Sequence, residues 1–254
     1  MISRGQFARL MFIYFAAAIC TSAQTHRAVP TSADIVARMA QAQAENRDDV
    51  HPYIVTRDYR LFGRESSLES KSHVIAEITV APPDSKEYII ESAKGSGLGE
   101  KVVRKMLDGE VAFARDSGST DITRKNYDFL LVGEDDLNGQ PCYVLQLLPR
   151  RKSKDLLRGT IWVDANTYLP RRVDGEPAKS PSWWLRDVRV VLVYGYVGPM
   201  WLQTSSEATA NVRILGRSTM VWHDVSYQMG ELTPGASVAQ TTVSADETMA
   251  EDQW

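Results

Sequence analysis

Tyr53-Ile-Val-Thr-Arg-Asp-Tyr-Arg-Leu61 alternates along its whole length: Tyr53, Val55, Arg57, Tyr59 and Leu61 share one face of an extended chain, opposed by Thr56, Asp58 and Arg60. A period of two marks a half-buried strand. Val74, Ala76, Ile78 and Val80 repeat the pattern against Glu77 and Thr79, and Pro82 and Pro83 close this second strand. A third strand over 88–92 then turns through Gly95, Ser96, Gly97 and Gly99 into a helix over 100–115, whose inner side carries Val102, Val103, Met106, Leu107 and Val111. Three strands and a covering helix in one stretch set the fold class, and the rest of the chain extends it.

Upstream, Thr31 and Ser32 offer N-cap hydroxyls with Asp34 in the first turn, and Ile35, Val36, Met39, Ala40 and Ala42 give one apolar face to a helix over 33–47. Downstream, 127–132, 142–148, 159–164, 170–174, 188–196, 201–215 and 217–229 are β-rich segments separated by Gly, Pro, Asn or Asp clusters. About ten strands and two helices, with no repeat and no linker, predict one α+β domain around a large antiparallel sheet.

The ends differ from the middle. Residues 1–23 read as a secretory signal: Arg4 and Arg9 precede an apolar run over 10–19, and Ala23 follows Thr21 and Ser22 in a small-residue cleavage context. The run is too short to span a bilayer, which takes about 20 residues. Ile19 before Cys20 argues against a lipid on that cysteine, because a lipoprotein signal places a small residue there. The folded domain is expected over 24–230, exported to the periplasm. Residues 231–254 hold five acids and no base among Pro, Gly, Ser and Thr, and read as a disordered acidic tail. Without the two ends the chain is formally neutral, which argues against nucleic acid.

Catalytic and metal patterns are missing from the sequence. His26, His51, His73 and His223 lie far apart with no metal-ligand spacing, and no G-x-S-x-G elbow occurs. The glycines at 95–99 fit neither phosphate-loop spacing and read as a helix entry. Glu134, Asp135 and Asp136, beside Asn138 and Gly139, read as a hairpin tip. Cys142, between apolar neighbours, reads as a buried thiol. These observations predict no enzyme, no metal and no cofactor. Arg150, Arg151, Lys152 and Lys154, with Arg171 and Arg172 beyond, are a solvated loop or a peripheral contact with anionic lipid.

What remains is an excess of apolar residues on strands that only two helices cover. Such a sheet must close on its helices as a packed core or enclose an apolar ligand. The residues expected to line that space are Val55, Arg57, Tyr59 and Ile78 of the first strands, Tyr143 and Leu145, and Val190 and Leu192. Arg57 is the charge on an apolar face; it pairs with an acid or meets a polar part of the ligand.

Gly139-Gln-Pro-Cys-Tyr-Val-Leu-Gln-Leu-Leu-Pro-Arg150, Gly159-Thr-Ile-Trp-Val-Asp164 with Tyr168-Leu-Pro-Arg171, and Gly198-Pro-Met-Trp-Leu202 resemble the LolA-like outer-membrane lipoprotein-sorting family and the related MucB/RseB amino-terminal domains. The resemblance implies an unclosed half-barrel sheet covered by helices, with a cavity for a lipid or lipoprotein acyl chain, or for a segment of an envelope protein. Outer-membrane sorting or transport is the role it implies, with an envelope-stress sensor as the alternative. The helix after Gly99 departs from the carrier pattern, and Arg57 is singled out by alternation, not by a family motif.

Overall fold

The structure, a computed structural model, describes residues 30–64, 69–116, 118–230 and 242–244. Residues 1–23, read as a signal, with Cys20, lie outside these residues, as does most of the tail 231–254.

Helix α1 (Ser32–Asp49) starts where the sequence places it. The Thr31 hydroxyl accepts the Asp34 N–H at 3.2 Å, and the Asp34 carboxylate accepts the Thr31 N–H at 3.2 Å, a reciprocal cap. The strands β1 (Tyr53–Phe62), β2 (Ser72–Ala81) and β3 (Ser85–Gly95) form a meander. Helix α2 (Gly97–Arg115) follows, three residues earlier than the 100–115 expected, because Ser96 takes the extended N-cap conformation. The glycines on either side set the helix down on the sheet. Gly95 has φ +90°, and a Cβ on Gly99 would come within 2.2 Å of the Ser72 Cβ.

The remaining strands are β4 (Tyr127–Leu137), β5 (Gln140–Pro149), β6 (Leu157–Asp164), β7 (Pro170–Pro177), β8 (Leu185–Val197), β9 (Met200–Val212) and β10 (Gly216–Met229). They pair antiparallel in the order β3-β2-β1-β10-β9-β8-β7-β6-β5-β4, with β3 and β4 as open edges. The first and last long strands, β1 and β10, pair as third and fourth in this order and join the β1–β3 meander to the β4–β10 meander. Thr242–Ser244 of the tail adds a short strand, β11, beside β10.

The acids 134–136 are not a hairpin tip. They extend β4, which a register shift between Leu131 and Gly133 carries onward, and the turn is Asn138-Gly139, both at positive φ.

Register places Leu145, Ile161, Val173, Leu192, Ser206, Trp222 and Tyr59 on one line across the sheet, on the face that carries the helices. This face has two cores. Ile35, Val36 and Met39 of α1 pack on Tyr127, Leu145, Leu147, Ile161 and Val173, while Val103 and Leu107 of α2 pack on Val55, Tyr59, Val74, Ile78, Trp222 and Tyr227.

Candidate functional site

The two helices pack on separate cores, and one row of side chains on the helix-bearing face belongs to neither. Leu61, Met220, Ala208 and Val190 are neighbours across β1, β10, β9 and β8, and all four are only half-buried. The result is an apolar strip between two packed cores.

The eight residues expected to line a ligand space all lie on the helix-bearing face, in different settings. Val55, Tyr59 and Ile78 are buried under α2, and Tyr143 and Leu145 belong to the α1 core. Val190 and Leu192 are half-buried, Val190 on the central strip and Leu192 against the α1 core. Alternation alone assigned the face; it does not distinguish a residue capped by a helix from one left open.

Arg57 is 6% exposed, among these apolar residues. Its Nε donates to Asp224 Oδ1 at 2.5 Å, its Nη1 reaches Glu110 Oε2 at 3.3 Å, and its guanidinium carbon sits 3.6 Å from the centre of the Trp222 ring. Asp224 also accepts from the Tyr227 hydroxyl at 2.5 Å, and Glu110 accepts from Lys86. The bonds therefore run from β1 to β10 and from the sheet up to α2. Burial alone would raise Glu110, but Lys86 and Arg57 outweigh it and hold its carboxyl below the usual range. Burial also dominates at Asp224 and pushes its pKa up against the pull of Arg57 and the Tyr227 hydroxyl. Tyr53 beside the cluster is lifted to about 12 by burial.

Sequence reasoning singled out Arg57 and missed both acids. Asp224 was legible as the alternate neighbour of Trp222. The obstacle was Val225, an extra residue in β10 opposite Thr56-Arg57, which puts Tyr227 on the same face as Asp224 at an odd spacing. Glu110 was hidden because it faces inward from the helix, on its charged margin.

The basic segment, expected as a solvated loop or a peripheral lipid contact, is exposed and largely engaged within the protein. Arg150 binds Asp128, Arg151 reaches Asn126 and the Ser119 carbonyl, and Lys154 pairs with Asp155. Arg171 donates to Asp164 at 2.6 Å, and Arg172 lies 3.5 Å from Asp174. Burial lifts the Cys142 thiol to about 11, so it is neutral near pH 7. On the other face of the sheet, Arg172, Asp174, Arg189, Glu207 and Arg217 line an open polar cavity of about 460 Å³.

A family model described as uncharacterized-protein-like matches residues 103–231. No curated protein matches the chain. Among solved structures the chain is similar to a LolA superfamily protein from Nitrosomonas europaea, at 13% identity over 81% of this chain and 96% of that one, with a TM-score of 0.46. It is also similar to a DUF1329 family protein from Desulfovibrio piger, at 16% identity over 80% and 92%, with a TM-score of 0.38. A third is the MucA/MucB complex structure from Pseudomonas aeruginosa, at 14% identity over 76% and 92%, with a TM-score of 0.25.

Proposed function

We propose that this chain, which belongs to the uncharacterized-protein-like family whose model matches residues 103–231, is a non-enzymatic periplasmic protein that holds the acyl chain of a lipid or lipoprotein for outer-membrane sorting or transport. The acyl chain lies on the central strip and extends under α2 when that helix lifts. The observation that carries this reading is the half-buried row Leu61, Met220, Ala208 and Val190, one row of side chains (Tyr59, Trp222, Ser206, Leu192) away from Arg57, which ties α2 to the sheet through Glu110. A helix held down in part by a charged contact can lift without losing its whole apolar footing. Each acyl CH₂ buried contributes about 0.8 kcal/mol, enough to retain a chain without covalent chemistry. The motif resemblance over residues 139–202 supports the same reading.

Export belongs to the proposal. A signal over 1–23 predicts a mature amino terminus near Gln24, whereas a diacylated Cys20 would make the protein membrane-anchored; amino-terminal sequencing separates the two. For the ligand, the mature protein is purified from a periplasm, extracted with organic solvent and analysed by mass spectrometry. A stoichiometric lipid is expected. Reproducibly empty protein that also takes up no fluorescent fatty acid overturns the carrier reading.

A further inference from the structure

At one end of the sheet, three strands run past their neighbours. β1 stops pairing with β10 at Phe62–Thr219, and β7 stops pairing with β8 at Gly175–Val190, so residues 185–189, 209–212 and 216–218 continue as a three-stranded projection. Its tip joins two loops: the Arg213 N–H donates to the Trp184 carbonyl at 3.0 Å, and the Arg213 guanidinium lies over the Trp183 ring. The Trp-bearing loop is ordered, with Ser180 Oγ near the Ser182 and Leu185 carbonyls and the Leu185 N–H donating to the Ser182 carbonyl.

This ordered tip presents large apolar side chains to water. Ile214 is 94% exposed, Trp183 78%, Leu215 54% and Trp184 38%. A cluster of this kind on a projection is costly to leave bare and marks a surface that docks on something. Its charge says what: Lys179, Arg186 and Arg213 are exposed on the loops and strand ends of the tip, against the one acid Asp187, which accepts from Asn211 at 2.8 Å and keeps its charge, while Arg217 faces the polar cavity behind. Tryptophan favours the headgroup level of a bilayer, aliphatic tips reach below it, and flanking arginines meet anionic headgroups.

We infer that this projection is a membrane-docking tip, which seats Trp183, Trp184, Ile214 and Leu215 in the interface of an anionic bilayer with the surrounding bases at headgroup level. No helix among the described residues is long and apolar enough to cross a membrane, and the contact proposed is peripheral. The tip lies just beyond Val190, Ala208 and Met220, so docking brings the central strip close to the lipid surface. The inference goes beyond the acyl-carrier reading and stands without it.

The test is sedimentation of the mature protein with vesicles of phosphatidylcholine alone and of phosphatidylcholine mixed equally with phosphatidylglycerol. Wild type is expected to bind the mixed vesicles strongly and the neutral ones weakly, with binding reduced by salt. Trp183→Ser/Ile214→Ser should lower partitioning at least about tenfold on both. Arg186→Gln/Arg213→Gln should weaken binding about fivefold per charge on the anionic vesicles only. Wild-type protein that binds neither vesicle, or variants that bind as wild type does, would overturn the proposal. Concentration-dependent dimerisation that Trp183→Ser/Ile214→Ser abolishes, without vesicle binding, would overturn it too and assign the patch to a second copy. Protein that carries no lipid yet binds vesicles through this tip removes the carrier reading and leaves the docking tip standing.

Discussion

Arg57 shows how one side chain can be costly and useful at once. Its guanidinium is nearly out of water, and so is Asp224, whose side chain is 2% exposed. Removing one partner of such a pair leaves the other as a buried charge, which costs about 3 kcal/mol or more. Arg57→Leu is therefore expected to lose about 3 kcal/mol of stability in urea unfolding, and Arg57→Leu/Asp224→Asn to recover most of it. The amide still accepts the Tyr227 hydroxyl, and Glu110 keeps Lys86. With stability restored, the double variant isolates the latch. If the Arg57–Glu110 contact favours the closed state, its loss should slow the release of a bound fluorescent fatty acid, and an unchanged off-rate would detach Arg57 from ligand handling. A different set of residues explains the family-like motifs. Asp164 accepts the Asn166 and Thr167 N–H groups and binds Arg171, Arg171 lies over Trp201, and the side-chain amide of Asn46 in α1 donates to the Trp201 carbonyl and accepts from the Trp201 N–H. The Trp-Val-Asp, Leu-Pro-Arg and Gly-Pro-Met-Trp segments thus meet at one structural junction.

Helix α2 is held at both ends, by different physics. At its start, Gly99 sits against Ser72, and Gly99→Ala is expected to destabilise the protein by about 1–3 kcal/mol through overpacking, with Ser72→Gly recovering part of that loss. Urea midpoints of the two single variants and the double one check this. Further along α2 the hold is electrostatic. The Glu110 carboxyl is depressed in the folded state, so the stability it contributes is fully present above the unfolded value, about 4.3, and is lost as pH falls through the folded one. Hydrogen exchange of α2 amides should accelerate below that range in wild type, and Glu110→Gln should exchange faster near neutrality while losing the acid dependence. An acid dependence unchanged in Glu110→Gln would place the titrating group elsewhere. The helix also marks the limit of what the sequence carries. Strand alternation located the ten long strands and the correct face for Val55, Arg57 and Tyr59, because period two survives whatever packs above. It could not reveal Glu110, which meets Arg57 from a different element, nor the projection at Trp183 and Ile214. That tip depends on where β1 and β7 stop pairing, and strand ends are set by tertiary contacts.

Across the described residues, two helices on ten long antiparallel strands leave a division of labour that the carrier reading needs and that a single substitution type can expose. Leu145 has no exposed surface and lies in the α1 core, whereas Val190 is half-buried on the central strip. A carboxylate placed at Leu145 would be buried without a partner, at a cost of several kcal/mol against a total stability of about 5–15 kcal/mol. Leu145→Glu is therefore expected to unfold the domain. At Val190 the same side chain can reach water, so Val190→Glu should keep the native circular dichroism and melt cooperatively within a few degrees of wild type. It would nonetheless put a negative charge on the surface where an acyl chain is proposed to lie, and uptake of a fluorescent fatty acid should fall by at least about tenfold. The comparison distinguishes an open strip from a closed core. Should Val190→Glu collapse the fold as Leu145→Glu does, the central strands are sealed by packing and offer no acyl site. Should it fold and bind fatty acid undiminished, the chain lies somewhere other than the row Leu61, Met220, Ala208 and Val190.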